Sequence, residues 1–119
     1  MRIDVLMENR ANNSGLLAEH GFSLLLETAG TVLLFDTGAG EGFLHNARLL
    51  GVDPLAADTV VLSHAHYDHA GGVAALLSRK RHGELVVGGG FFREKGKRGP
   101  EGFVALGPGW GREEVLAAG

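Results

Sequence analysis

Apolar residues come in short runs along this chain, divided by polar or glycine-rich stretches. Arg2-Ile-Asp-Val-Leu-Met7 alternates at the period of a strand. Residues 8–19 are polar, with Asn12-Asn13-Ser14-Gly15 as a turn signal, and read as a loop. Phe22 to Glu27 and Thr31 to Phe35 are apolar runs either side of Ala29-Gly30, the pattern of a hairpin. Their unbroken apolar character predicts burial on both faces. Phe43 to Leu50 changes to helical spacing, with Phe43, Ala47 and Leu50 on one stripe and Gly51 as the stop. Asp53-Pro54 opens a loop or short helical turn. Val60-Val61-Leu62 reads as a buried strand and Val73 to Leu77 as a helix ending in Ser78-Arg-Lys-Arg-His82. Positive charge there complements the negative end of the helix dipole, a structural role. Glu84 to Val87 is a further strand, and Arg112 to Ala118 a short last helix.

The chemistry gathers where the Val60 strand ends. His64, His66, Asp68 and His69 fall within six positions and are followed by Gly71-Gly72. A single histidine at a strand end is usually a packing or surface residue. Three with an aspartate, between a buried strand and a helix start, are the ligand types that suit zinc, manganese or iron. Side chains two apart on extended backbone point the same way, so His64 and His66 can reach one ion together. Asp68 and His69 lie past the turn and face the same space from another direction. Gly71 and Gly72 leave room for the helix start to pack against the strand end.

Composition narrows the classes. The chain has 119 residues, 45% of them apolar, enough for one domain with a core. The net charge of −3 gives no field for nucleic acid, and the basic run from Arg93 to Arg98 is broken by Glu94. There is no cysteine, so disulfides and thiolate ligands are excluded and a metal must be held by His, Asp or Glu. No apolar run approaches the ~18–20 residues of a membrane span. The N-terminus opens on a strand pattern without a leader, so the expected location is cytoplasmic. Glycine is abundant, 20 in all, ten of them between Gly83 and Gly111.

Ser63-His-Ala-His-Tyr-Asp-His-Ala-Gly-Gly72 resembles the His-x-His-x-Asp-His signature of the metallo-β-lactamase-fold hydrolases, and Asp36-Thr-Gly38 resembles their second motif. Glu19-His-Gly-Phe-Ser-Leu-Leu-Leu-Glu27 and Leu44-His-Asn-Ala-Arg-Leu-Leu-Gly51 are most similar to a branch related to dihydropterin-forming ribofuranosyl-aminobenzene phosphate synthases. The resemblance covers about Met1 to Val87. It implies an α/β fold, the N-terminal half of a four-layer αββα sandwich: a mixed sheet with helices on one face. Residues 1–119 are then a single truncated domain, with 1–87 as the recognisable half-fold and 88–119 as an atypical glycine-rich tail.

The resemblance also implies roles. His64, His66, Asp68 and His69 are metal ligands, and Asp68 is either a ligand of a second ion or the base that orients the nucleophile. Asp36, by itself readable as an Asx-type turn or cap, would brace the ligand loop by hydrogen bonds. Asn9 and Arg10 are candidates for substrate contact or a plain solvated connection. His45 reads as an exposed helix residue and His82 as a helix-end residue, while His20, just before a strand, could lie near the site.

The activity implied is metal-dependent hydrolysis of a small-molecule ester, thioester, lactone or phosphoester, or synthase-like chemistry on a phosphorylated pterin precursor. The cofactor is one or two ions of zinc, manganese or iron. Relatives' second halves carry further His and Asp ligands, and here no His follows His82 and no Asp follows Asp68. Weak or absent metal is therefore expected in an isolated monomer. The uncovered sheet face leads to a homodimer or a separate C-terminal half as partner. The alternative is a non-catalytic relative that self-associates and keeps the motif as a remnant.

Overall fold

A computed structural model describes residues 1–12, 15–79, 83–93, 96–99 and 102–118. Asn13 and Ser14 of the expected turn, and the 80–82 stretch that includes His82, lie outside the described residues. Five strands form one sheet in chain order: β1 (Arg2–Met7), β2 (Ser23–Thr28), β3 (Thr31–Phe35), β4 (Thr59–Val61) and β5 (Glu84–Val86). The first three pair antiparallel; β3, β4 and β5 run parallel. Parallel neighbours need crossovers rather than tight turns. Helix α1 (Gly42–Leu50) lies in the first crossover, and α2 (Tyr67–Ala70) and α3 (Val73–Leu77) in the second. The fold is α/β, with a mixed sheet.

Register decides which apolar residues are covered. Leu25 faces Leu34, Leu34 faces Val60 and Val60 faces Leu85, one row across the sheet. The first three are buried in one core with Leu6, Met7, Phe43, Ala47, Val73 and Leu76, so α1 and α3 cover this face. The opposite face carries Ile3, Val5, Leu24, Leu26, Leu33, Phe35, Val61 and Val86 in the same register. Here Ile3, Val5 and Val86 are 51%, 48% and 41% exposed. Burial on both faces, expected from the apolar runs of β2 and β3, does not occur among the described residues. No described helix packs on the second side.

Local chemistry sets the element ends. Gly51 closes α1 in the left-handed conformation at φ 73°, which a Cβ would disfavour. The Asp53 carboxylate accepts from Leu55 N–H at 2.9 Å and caps a 3-10 turn over Pro54–Ala56. Arg79 donates to the Ala75 carbonyl at 2.9 Å and pairs with Glu41 at 3.0 Å. It thereby satisfies an end carbonyl of α3. On α1 the buried stripe is Phe43, Asn46 and Ala47, with Leu50 only partly covered. Asn46 is buried because it ties down the loop after β1: it donates to the carbonyls of Leu6 and Leu17 and accepts from Leu17 N–H. His45, expected to be exposed, is half-buried, with Nε2 2.9 Å from the Gly15 carbonyl.

The glycine-rich segment folds back onto this core. It contains a hairpin of β6 (Gly96–Gly99) and β7 (Gly102–Ala105), then α4 (Arg112–Ala118). Phe91 and Trp110 are buried in the main core, ring centroids 5.6 Å apart. Trp110 Nε1–H donates to the Ala70 carbonyl at 2.7 Å, and Tyr67 N–H donates to the Leu106 carbonyl at 2.9 Å. Both bonds end on α2, the helix carrying Asp68 and His69. No described helix is long and apolar enough to cross a membrane.

Candidate metal centre

Strand β4 ends at Val61, so the histidine cluster lies beyond the sheet ladder, on the connection into α2. Its position is set by backbone packing. Thr37 N–H and Oγ1 both donate to the His69 carbonyl, at 2.7 and 3.0 Å. A Cβ on Gly71 would collide with the Ala39 carbonyl, and one on Gly72 with the Thr37 carbonyl. These glycines let the α2–α3 junction sit directly on the Asp36-Thr-Gly38 loop. Asp36 has φ 55°, the only positive value at a described residue other than glycine. That costs roughly 1–2 kcal/mol for a side-chain-bearing residue, least for Asp or Asn.

The cost is offset by what Asp36 then reaches. Its carboxylate is 1% exposed and accepts from Ser63 N–H (2.8 Å), Ser63 Oγ–H (2.6 Å) and His69 Nδ1 (2.8 Å). The last bond places a proton on Nδ1 of His69, so that the neutral ring carries its lone pair on Nε2. Ser63 Oγ spends its only proton on Asp36. It can therefore only accept from His64 Nδ1, 2.8 Å away. His64 is thus also protonated on Nδ1 and bare on Nε2. One buried carboxylate fixes the tautomers of two imidazoles, one directly and one through Ser63.

His64, Asp68 and His69 each offer one ligand atom, all within 4.8 Å of one another. The buried Asp68 carboxylate has Oδ2 3.5 Å from His69 Nε2 and 3.1 Å from His20 Nε2. The His66 ring stands edge-on beside that of His64, centroids 4.8 Å apart at 75°. His66 takes the N-cap position of α2. The close three-donor group therefore joins His64 to the residues past the turn, with His66 adjacent. The pKa of His64 is lowered, first by burial and then by the neighbouring charges of His69 and His66, against the opposing pull of Asp36 and Asp68. The lowered value favours the neutral imidazole that ligation needs.

Ser63 has no distinguishing signal in the sequence beyond standing next to His64. His20, which its position just before a strand allowed to lie near the site, does so, beside Asp68. Glu8, Asn9, His20, Gly21, Phe22, Asp68 and His69 line an open cleft of about 430 Å³. Asn9 is on this cleft and Arg10 is not.

The family model described as the metallo-beta-lactamase superfamily matches residues 17–113, which include every residue of this centre. The chain belongs to the metallo-beta-lactamase superfamily. It is similar to the crystal structure of Tm1679, a metal-dependent hydrolase of the beta-lactamase superfamily, at 35% identity and a TM-score of 0.70. That match covers 98% of this chain and 39% of the other. Among curated relatives, a 7,8-dihydropterin-6-methyl-4-(beta-D-ribofuranosyl)-aminobenzene-5'-phosphate synthase of Methanocaldococcus jannaschii is 36% identical over 83 residues, 65% of this chain and 28% of that protein. A hydroxyacylglutathione hydrolase of Aeromonas hydrophila is 43% identical over 53 residues, 44% of this chain and 20% of that protein. The chain thus spans less than a third of the length of these curated relatives.

Superfamily membership implies a divalent metal, and the donor set fits one. In the neutral ring protonated on Nδ1, the Nε2 lone pair of His69 faces Asp68 Oδ2 across 3.5 Å, a pair of donors that a divalent ion would join. Four-coordinate zinc with bonds of about 2.1 Å separates its ligand atoms by roughly 3.4 Å.

Proposed function

We propose that this chain supplies the metal-binding part of a metal-dependent hydrolase acting on a small-molecule ester, thioester, lactone or phosphoester. The observation that supports this reading is the Asp36–Ser63 system, which hydrogen-bonds Nδ1 of two histidines and leaves each Nε2 available as a ligand beside a buried carboxylate. His64, Asp68 and His69 would hold the ion, with His66 next to them. A divalent ion would supply Lewis acidity, polarising a carbonyl or phosphoryl oxygen and lowering the pKa of bound water to about 7. Asp68, which lines the cleft, would serve either as a ligand of that ion or as the base that orients the attacking water and accepts its proton. Asn9 and Phe22 line the same cleft, a polar and an apolar wall for the substrate. Zinc is the favoured ion for a His and Asp donor set, with manganese and iron as competitors. A synthase-like role on a phosphorylated pterin precursor is the narrower alternative, supported by the resemblance to the synthase relative.

A second copy of the chain belongs to this reading. The apolar row Val5, Leu24, Phe35, Val61 and Val86 crosses all five strands, and such a row is rarely left bare on a monomer. Two copies packing sheet to sheet about a two-fold axis would cover it. The test is hydrolysis of a panel of aryl ester, thioester and phosphodiester substrates by zinc-loaded protein of known solution mass. Turnover abolished by chelator, restored by zinc and lost in His69→Ala supports the proposal. Chelator-insensitive turnover, or none on any substrate by metal-loaded protein, contradicts it. A stable monomer contradicts the second-copy arrangement.

A further inference from the structure

Each histidine of the three-donor group has a hydrogen-bonding partner that sets its orientation: Asp36 for His69 and Ser63 for His64. The carboxylate ligand needs the same, because an unrestrained Asp side chain can turn either oxygen, or neither, toward an ion. Ligating carboxylates are themselves hydrogen-bonded in well-formed sites, and losing such outer partners costs about 10- to 100-fold in metal affinity. Besides His69, the described partner of the Asp68 carboxylate is His20, whose Nε2 lies 3.1 Å from Oδ2.

An exposed histidine touching a carboxylate is ordinarily a weak contact, and the side chain of His20 is 71% exposed. The backbone around it makes the difference. On one side, the Glu19 carboxylate accepts from Ala39 N–H at 2.9 Å, fixing the preceding residue to the Asp36 loop. On the other, Gly21 N–H donates to Asn9 Oδ1 at 3.4 Å and Phe22 N–H to the Asp68 carbonyl at 3.3 Å. A Cβ on Gly21 would run into that same Asp68 carbonyl. His20 thus sits on a segment pressed against the backbone of the very residue it contacts. Holding its ring in place costs two side-chain torsions and no backbone ordering.

We propose that His20 is the positioning residue for Asp68: its imidazole, in ion-pair contact with Oδ2 at 3.1 Å, keeps the carboxylate turned toward His69 Nε2, where the cation would bind. The inference rests on the metal-centre reading above. It adds a fifth residue that nothing in the His-x-His-x-Asp-His spacing announces. It also gives a reason for the Glu19-His20-Gly21 run: an anchor, the positioning imidazole, and a residue small enough to let both approach.

The test is a pair of variants read by zinc affinity in chelator competition, with thermal melting as a control. Gln places an amide nitrogen near the position of Nε2, whereas Asn places one near Nδ1. His20→Ala and His20→Asn should weaken zinc binding about 10- to 100-fold, and His20→Gln should restore it to within about threefold of the parent. All three should melt with the parent, since the side chain is exposed. Zinc binding by His20→Ala equal to the parent's, or a Gln variant as weak as Ala, overturns the proposal. A second readout is independent of metal. In chelator-treated protein, long-range 1H–15N spectra should show His20 protonated on Nε2, with a signal that moves in Asp68→Asn. A His20 signal unchanged by that substitution overturns the proposal, even where the parent binds zinc. A parent that binds no zinc, with the His20 signal still coupled to Asp68, would instead discard the metal-centre reading and leave the positioning contact standing.

Discussion

Replacing Asp36 with Asn changes one atom and sets two donors against a third. In the parent, Oδ1 accepts from Ser63 N–H, while Oδ2 accepts from both Ser63 Oγ and His69 Nδ1. An amide has one acceptor oxygen. If it stays on Ser63 N–H, the NH2 group faces two protons; if it flips, the NH2 group faces the Ser63 amide proton. The substitution is clean in backbone terms, because Asn accepts the φ of 55° that Asp36 holds. Relief comes when His69 moves its proton to Nε2 so that Nδ1 can accept, and that removes the lone pair offered to the metal. Each lost hydrogen bond to a charged group is worth about 1.5–3 kcal/mol. Outer-partner substitutions at metal sites cost about 10- to 100-fold in affinity, or roughly 1.4–2.8 kcal/mol. The expected outcome is zinc affinity lower by one to two powers of ten in chelator competition, with melting lowered by an amount fitting about 2–4 kcal/mol. Asp36→Ala should melt lower still, since Ala pays the full left-handed cost. An Asp36→Asn protein that melts lower yet binds zinc as tightly as the parent would refute the tautomer account.

Three further outcomes follow from packing and charge. Gly72→Ala puts a methyl into the Thr37 carbonyl and should cost about 1–3 kcal/mol, seen as a lower melting temperature and weaker zinc binding together. Trp110→Ala removes a buried ring and the donor to the Ala70 carbonyl; it should cost about 3–5 kcal/mol by denaturant titration, whereas Trp110→Phe should cost less. The lowered pKa of His64 means that, in metal-free protein below pH ~6.5, the unfolded chain takes a proton that the folded chain refuses. Stability should therefore be lost as pH falls from ~6.5 through the lowered folded value and change no further from this group below it. His64→Gln should flatten that part of a melting-versus-pH curve measured in chelator.

Much of the fold was legible because strand and helix periods are local properties. Arg2–Met7, Thr31–Phe35 and Arg112–Ala118 fall where the pattern put them. Apolar runs could not report which face has a covering layer: Leu24 and Leu25 look alike in sequence, but only Leu25 meets the helices. The glycine-rich segment hid its anchors for the opposite reason. Composition suggested a tail of its own character, whereas Phe91 and Trp110 act singly, without a period, and reach the core through long-range contacts. In the metal centre, four clustered ligand-type residues were visible as spacing. Ser63 was not, and His20 only as a histidine before a strand, because their contacts depend on loops that meet only in the folded chain.

The central claim is that this chain holds a divalent cation among His64, Asp68 and His69. Its most direct measurement is metal content per chain by plasma mass spectrometry across the size-exclusion peak, before and after zinc, manganese or iron is added. The account predicts about one to two equivalents co-eluting with a defined oligomer, and loss of metal in His69→Ala. Protein that remains metal-free after every addition, at any oligomeric state, would contradict it.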